Sequence, residues 1–363
     1  GAGNKDGSVG HRQTPSFLRK RIVYRRQKCY LPSMLDPDRL LGATLERWLT
    51  HPEAPGSIEA ADIYRHFHRY GSHRAVAAGE RTIEDIAEED GTRKFLLRHA
   101  DGCETESVIM PIEGRSGRVR QTLCLSSQIG CAMGCTFCQT ANMGRVRNLT
   151  TAEIVAQWHH AEHDLHAEIT NIVFMGMGEP MDNLDSVLAA IEILTDHNAA
   201  AVPPSRIGVS TVGHVEGIRR FTEFMQRDGM HQVRLAVSVN APNDAIRGEL
   251  MPITRAVSMK ALHEAMSEWI AAGGRPVLIE YVLIPGVNDD PAGAEELAQW
   301  LDALPCRLNV IPYNPKVDSP WPAPDEDCVE QFIEAAATAG LTVNRRQTRG
   351  RQVMAACGQL GGV

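Results

Sequence analysis

Three thiols crowd into Gly130-Cys131-Ala132-Met133-Gly134-Cys135-Thr136-Phe137-Cys138, spaced Cys-x3-Cys-x2-Cys. Thiols this close cannot all pair as disulfides, but as thiolates they can hold three irons of a 4Fe–4S cluster. Four cysteine ligands would leave no iron open; three leave one iron for an outside molecule. Zinc also takes clustered cysteines, yet it wants a fourth ligand, and the loop contains no further Cys or His.

Other residues of the right types stand where chemistry could use them. Gly176-Met177-Gly178-Glu179-Pro180 combines glycines, which let backbone approach a ligand, with a carboxylate that can accept from an ammonium; it also reads as a tight turn. Ser210, Asn240 and Asn314 end apolar runs, placed to hydrogen-bond a ligand or simply to make a turn. Cys124 precedes the cysteine loop and Cys357 lies near the C-terminus. Either is by composition a buried small hydrophobe, as are Cys29, Cys103, Cys306 and Cys328. His159, His163 and His166 share a helix face that suits a metal. Ile154, Trp158 and Leu165 mark the buried side of that helix, which predicts a solvent-facing histidine stripe.

The elements that must position these residues follow from apolar periodicity. Strand-like runs occur at 122–126, 172–175, 207–210, 235–239, 277–284 and 308–313, with amphipathic helices between them. Thr150-Thr151-Ala152-Glu153 reads as a capping box opening one helix; Leu184, Val187, Leu188, Ile191 and Leu194 give the apolar face of another. Repeated strand–helix units imply a parallel sheet with right-handed crossovers, as an open barrel or a doubly wound sheet. In either fold the site lies at the carboxyl ends of the strands, and the cysteine loop follows the first of them. Upstream, Thr92–Arg98 and Glu106-Ser107-Val108-Ile109-Met110 read as two strands joined through Asp101-Gly102. Two short helices precede them, one carrying Leu40, Leu41, Leu45, Trp48 and Leu49, the other Ile58, Ala61, Ile63, Tyr64 and Phe67.

Composition sets the frame. The 363 residues, 43% hydrophobic and 23% charged, are those of an ordinary globular protein. No apolar run approaches the roughly 18–20 residues of a membrane span. With no secretory signal, the nine cysteines are expected in a reducing cytoplasm, serving chemistry rather than a disulfide framework. The net charge of −8 excludes nucleic-acid binding through overall charge, though not through a patch. The run Arg19-Lys20-Arg21-Ile22-Val23-Tyr24-Arg25-Arg26-Gln27-Lys28 is such a patch, suited to phosphates and base stacking or equally to a solvated tail. The opening Gly1-Ala2-Gly3-Asn4 stretch is expected to stand outside the fold.

Taken in order, the motifs Asp90-Gly91-Thr92-Arg93-Lys94, Glu106-Ser107-Val108, Leu123-Cys124-Leu125-Ser126-Ser127-Gln128-Ile129-Gly130-Cys131, Arg147-Asn148-Leu149-Thr150, Gly176-Met177-Gly178-Glu179-Pro180, Ser210-Thr211, Ala241-Pro242-Asn243-Asp244, Ile311-Pro312-Tyr313-Asn314-Pro315 and Ala356-Cys357-Gly358-Gln359-Leu360 resemble one family. It is the radical S-adenosylmethionine (SAM) adenine methyltransferases of ribosomal RNA, RlmN/Cfr-like. The resemblance runs from about residue 90 to the end. It implies an α/β fold, an incomplete (β/α)6 radical SAM barrel with a small, mainly helical N-terminal domain. The expected division is a helical, basic appendage over 1–89, a β-hairpin linker over 90–120 and the catalytic barrel over 121–363.

The resemblance also implies roles. Cys131, Cys135 and Cys138 would hold the 4Fe–4S cluster. Gly178, Glu179, Ser210, Ser238, Val239, Asn240 and Asn314 would bind SAM, two molecules per turnover. A methyl group moves from one SAM to Cys357; a radical made from the second activates that S-methyl group, which adds to adenine, most directly at carbon 2. Glu106 matches the proton-transfer residue, and Cys124 then attacks the Cys357 sulfur, leaving a disulfide and the methylated product. RNA (ribosomal or transfer) is the implied substrate, a flavodoxin-type protein the electron donor, and the enzyme a cytoplasmic monomer. The same chemistry on a nucleotide, metabolite or peptide, or a non-catalytic iron–sulfur RNA-binding or redox-sensing protein, are the competing readings. Asn240 stands where the family normally has His, the stretch from Glu106 to Cys124 is long and basic (Arg115, Arg118, Arg120), and residues 1–89 resemble the family only in being helical.

Overall fold

The structure, a computed structural model, describes residues 34–363 except 78, 80, 114–116, 348–349, 351–352 and 362–363. The first residues, the basic run 19–28, Cys29 and Arg115 lie outside the described residues.

Strand-forming runs build a ten-stranded sheet. In chain order the strands are β1 (Thr82–Glu89), β2 (Thr92–Arg98), β3 (Glu104–Glu113), β4 (Val119–Leu125), β5 (Gln128–Gly130), β6 (Arg145–Asn148), β7 (Ile169–Phe174), β8 (Ile207–Thr211), β9 (Arg234–Ser238), β10 (Val277–Leu283), β11 (Cys306–Pro312) and β12 (Val343–Arg345). The sheet runs β1-β2-β3-β4-β7-β8-β9-β10-β11-β12, and β5 and β6 form a separate pair. Pairing is antiparallel from β1 to β4 and parallel from β4 to β12. Each parallel strand is laid beside its predecessor, so the order never reverses. That excludes the doubly wound sheet, which needs a switch point, and leaves an open barrel whose two edges, β1 and β12, do not pair.

All six expected parallel strands are present, with β12 as a seventh that its three residues were too short to announce. Helices α1 (Pro37–Leu41), α2 (Leu45–Leu49) and α3 (Ser57–Tyr70) precede the sheet. The connections carry α4 (Thr151–His163), α5 (Leu184–Thr195), α6 (Val215–Met225), α7 (Asp244–Leu250), α8 (Met259–Ala271), α9 (Pro291–Trp300) and α10 (Glu326–Thr338). The first apolar stripe proves to be two helices. Gly42 ends α1, and the Thr44 hydroxyl caps α2 by accepting from Arg47 N, a local bond that competes with helix continuation. The capping box at Thr150 is present in both directions, Glu153 N to Thr150 Oγ1 at 3.2 Å and Thr150 N to Glu153 Oε2 at 2.8 Å.

The period of two decides which strand residues meet the site. Phe95, Leu97, Ile109, Leu123 and Leu125 enter the large core under the helices, while Val108, Met110 and Cys124 fall in a smaller cluster on the other face of the sheet, with Met177, Ala355 and Leu360. On the histidine face of α4, contrary to expectation, His159 is buried and His163 half-buried, while His166 lies beyond the helix and is exposed. His159 stacks on Phe67 at 4.7 Å, and His163 Nε2 lies 2.9 Å from the carbonyl of His68. The stripe is the seam that docks α3, whose own exposed Ile58 faces away.

Candidate active site

The cysteine loop is closed at its base by backbone. β5 pairs antiparallel with β6, and Cys131 N donates to Gly144 O at 2.9 Å. Gly130 sits at φ +72°, and a Cβ there would lie 1.8 Å from Gly144 O, so only glycine permits the closure. Within the loop Cys138 N donates to Cys135 O at 3.1 Å, and Thr136 N anchors the loop on Leu250 O at 3.0 Å. The three cysteines thereby line one wall of a cavity of about 150 Å³ at the carboxyl ends of the parallel strands.

The Gly176–Pro180 turn forms the neighbouring wall. Ser127 N and Gln128 N donate to Met177 O at 2.9 and 3.2 Å, and Met177 N donates to Ser126 Oγ at 2.9 Å. Gly178 takes φ +97°, and any side chain there would place its Cβ 2.5 Å from Gln128 Cβ. Glu179 N donates to Gln128 Oε1 at 2.9 Å, and the buried Glu179 carboxylate accepts from Met181 N at 3.0 Å and Val212 N at 2.9 Å. Burial outweighs those bonds and raises its pKa to about 7.

The C-terminal segment covers the cavity as a strap. Gln139 N donates to Gly358 O at 2.7 Å, Thr140 Oγ1 to Leu360 O at 2.6 Å, Gln359 Nε2 to Pro315 O at 3.1 Å and Gly361 N to Glu106 Oε2 at 3.1 Å. These bonds hold Cys357 in the wall of the same cavity as the three loop cysteines. Cys124, on β4, lies close enough to Cys357 for the two to interact electrostatically, and burial pushes its thiol up to about 12. Glu106 is 2% exposed and faces Lys94 Nζ, 3.5 Å from its Oε1.

Of the other expected ligand-binding residues, Gly178, Glu179, Ser210, Ser238 and Asn240 line the cavity. Val239 is fully buried, its N–H donating to Glu280 O at 3.0 Å. Asn240 sits at φ +58° and turns its amide onto the protein: its Oδ1 accepts from Val282 N at 2.8 Å and its Nδ2 lies 3.2 Å from Met251 Sδ. Asn314 is buried, and its Oδ1 has no partner among the described residues. Glu280 and Arg346 also line the cavity and escaped the sequence reading. Arg346 is half-buried and interacts with Cys357, Glu280 and Cys124. Alternation past β12 was the available signal, since Arg345 pairs outward with Glu326 of α10 and its neighbour must point inward.

Residues 125–299 match the model of the Radical SAM superfamily. A probable dual-specificity RNA methyltransferase RlmN 1 from Protochlamydia amoebophila is 43% identical over 270 residues, 74% of this chain and 73% of that protein. The dual-specificity RNA methyltransferase RlmN of Phenylobacterium zucineum is 38% identical over 89% of this chain and 83% of its own length. This chain belongs to the RlmN family of radical SAM methyltransferases. The crystal structure of a radical SAM methyltransferase from Sphaerobacter thermophilus superposes with a TM-score of 0.81 at 34% identity, covering 89% of this chain and 99% of that one. Matches of this extent reach well into residues 1–89, further than the motifs alone carried the RlmN likeness.

Membership in the RlmN family brings a 4Fe–4S cluster and SAM, and the donor set fits both. Among the described residues no three Cys, His, Asp or Glu side chains converge tightly enough for a single metal ion. The three loop thiols instead stand around a shared wall and interact pairwise. Burial pushes Cys131 up to about 12 and raises Cys135 well above the ordinary thiol value, the state expected of thiols awaiting the positive charge of iron. The unpartnered Asn314 Oδ1 and the enclosed Glu179 carboxylate suit the donor groups of an amino-acid ligand.

Proposed function

We propose that this chain methylates an adenine of structured RNA at carbon 2, with the methyl group carried on Cys357, and that 23S ribosomal RNA and transfer RNA are its substrates. The observation that carries this reading is that Cys357 shares one cavity with the three loop cysteines, while the buried Cys124 lies near enough to Cys357 to interact with it. A sensor or a structural iron–sulfur protein has no use for the distant pair. The dual-specificity RNA methyltransferase relatives support RNA as the acceptor.

When bound, the cluster and SAM supply an electron, a methyl group and a hydrogen-abstracting radical. Cys131, Cys135 and Cys138 hold the cluster; Gly178, Glu179, Ser210, Ser238, Val239, Asn240 and Asn314 form the surroundings of SAM. The Cys357 sulfur takes up the methyl group and presents it to the adenine from the strap. Glu106 accepts the proton lost from the attacked carbon. Cys124 gives up its proton and attacks the Cys357 sulfur, the carbon–sulfur bond to the product breaks with its electron pair leaving on carbon, that carbon takes up a proton to become the methyl group, and a disulfide remains that an outside two-electron reductant must reopen. A flavodoxin-type donor, a monomeric state and a cytoplasmic setting complete the reading, with residues 1–89 as the RNA-selecting appendage, 90–120 as the connection and 121–363 as the catalytic barrel. No helix among the described residues is long and apolar enough to cross a membrane.

The test is peptide mass spectrometry of cluster-loaded protein supplied with SAM. A one-methyl increase on the Cys357 peptide is expected; a Cys357 that stays unmodified in cluster-containing protein competent to cleave SAM overturns the reading. RNA binding is expected to weaken linearly with the logarithm of salt; salt-independent binding would point to a different acceptor.

A further inference from the structure

Lys94 and Glu106 form a buried ion pair on the face of the sheet that carries Cys124. In the β2–β3 register Leu96 lies opposite Glu106 and Lys94 opposite Val108, so Lys94 and Glu106 are diagonal neighbours on one face, within reach of a long side chain. Lys94 is 9% exposed and Glu106 2%. A lysine this enclosed persists only against a countercharge, and the one it meets among the described residues is Glu106, with Nζ 3.5 Å from Oε1. The carboxylate divides its oxygens. Oε2 accepts from Gly361 N of the strap at 3.1 Å, while Oε1 has no hydrogen-bond partner and faces only the ammonium. That leaves Oε1 oriented toward the ammonium and, among the described residues, open to take a proton.

We propose that Lys94 is the positioning residue that keeps Glu106 ionised and aimed for proton acceptance; the inference rests on the proton-acceptor reading of Glu106. The other surroundings of Glu106 cannot do this. Its N–H meets Met177 Sδ at 3.4 Å, and Glu104 of its own strand is negative. Burial drives the Glu106 carboxyl toward its neutral form, and Lys94 is the leading opposing influence, ahead of Gly361 N. Removing Lys94 takes away the main influence that opposes burial, so the carboxyl moves further toward its neutral form.

The test is an infrared difference titration of the full-length protein, following the protonated-carboxyl stretch of Glu106 with Glu106→Gln as the subtraction control. It is paired with the pH profile of methyl transfer by the cluster-loaded enzyme. In Lys94→Met the carboxyl titration and the acidic limb of the profile are expected to move together to higher pH by about one unit or more. Activity then falls about tenfold below the limb and recovers toward wild type above it, and Lys94→Arg restores both. Should Lys94→Met not fold, Lys94→Gln carries the same test, since an amide keeps a hydrogen bond without the charge. An unmoved carboxyl titration, or an arginine variant that shifts as far as methionine, overturns the proposal. A shifted carboxyl titration with an unmoved pH profile instead overturns the proton-acceptor reading beneath it.

Discussion

Residue types at the site are tied to what backbone and burial demand of them. Gly130 has no substitute, because its Cβ would fall on Gly144 O and its φ is left-handed. Gly130→Ala is expected to cost about 1–3 kcal/mol from backbone strain alone. It should also open the base of the cysteine loop, so iron bound per chain after reconstitution falls well below wild type while far-UV circular dichroism is kept. Asn240 carries a second duty besides its place in the cavity wall: its amide oxygen accepts from Val282 N, and Asn288 Nδ2 donates to the Asn240 carbonyl at 2.7 Å, so it holds the ends of β9 and β10 in place. For the two cysteines, Cys357→Ala should abolish methyl transfer. Cys124→Ala should leave the protein–RNA thioether unresolved, seen as a stable adduct on denaturing gels; the absence of any adduct in an otherwise methylating variant would contradict the two-thiol scheme.

Elements behave as their edges and seams dictate. The α1–α3 layer is held to α4 by aromatic and histidine contacts, and His68 is buried within it. Its ring NH at Nε2 donates to Leu40 O at 3.2 Å, which ties α3 to α1. Burial lowers its pKa from 6.5 to about 4, so in this range the unfolded chain binds more protons than the folded one. Stability from this group is full above about pH 6.5 and is lost as pH falls through about 4, on the order of 3 kcal/mol in total. His68→Gln, which keeps a donor but cannot ionise, should melt lower at pH 7.5 yet lose less on acidification to pH 4.5; parallel melting curves for the two proteins would refute the assignment. Hydrogen exchange in wild type should rise first in α1–α3 over the same range.

At the scale of the whole molecule, the strap joins the two ends of the catalytic unit. It bonds to the segment just after Cys138, to Glu106 on β3 and to Pro315 after β11. The cluster loop and the Cys357 segment are therefore one cooperative piece, and what loosens one should loosen the other. Removing iron with a chelator is expected to raise hydrogen exchange at 355–361 and to speed alkylation of Cys357, with the α6–α8 layer unaffected. Strap exchange that is indifferent to the metal would show the two to be independent. Thr140→Val, which deletes one strap bond worth about 1 kcal/mol, should reproduce part of the effect in cluster-loaded protein.

Much of this was legible before any tertiary contact. Local rules suffice for the Cys-x3-Cys-x2-Cys loop, the six strand–helix units, the capping box at Thr150 and the glycines around the turn before Glu179, because spacing, periodicity and φ preference are properties of neighbouring residues. Pairing was not legible. Which of two parallel-sheet topologies forms depends on the order in which strands are laid together, and the histidine face of α4 was hidden by α3, an element whose docking no periodicity announces. Lys94 stood in the sequence only as the last residue of the Asp90–Lys94 motif, and Arg346 carried no signal of its own. Only the burial of Lys94 on β2, the inward position of Arg346 just past β12 and the arrival of Glu106 or Cys357 beside them make them charges that the site must use.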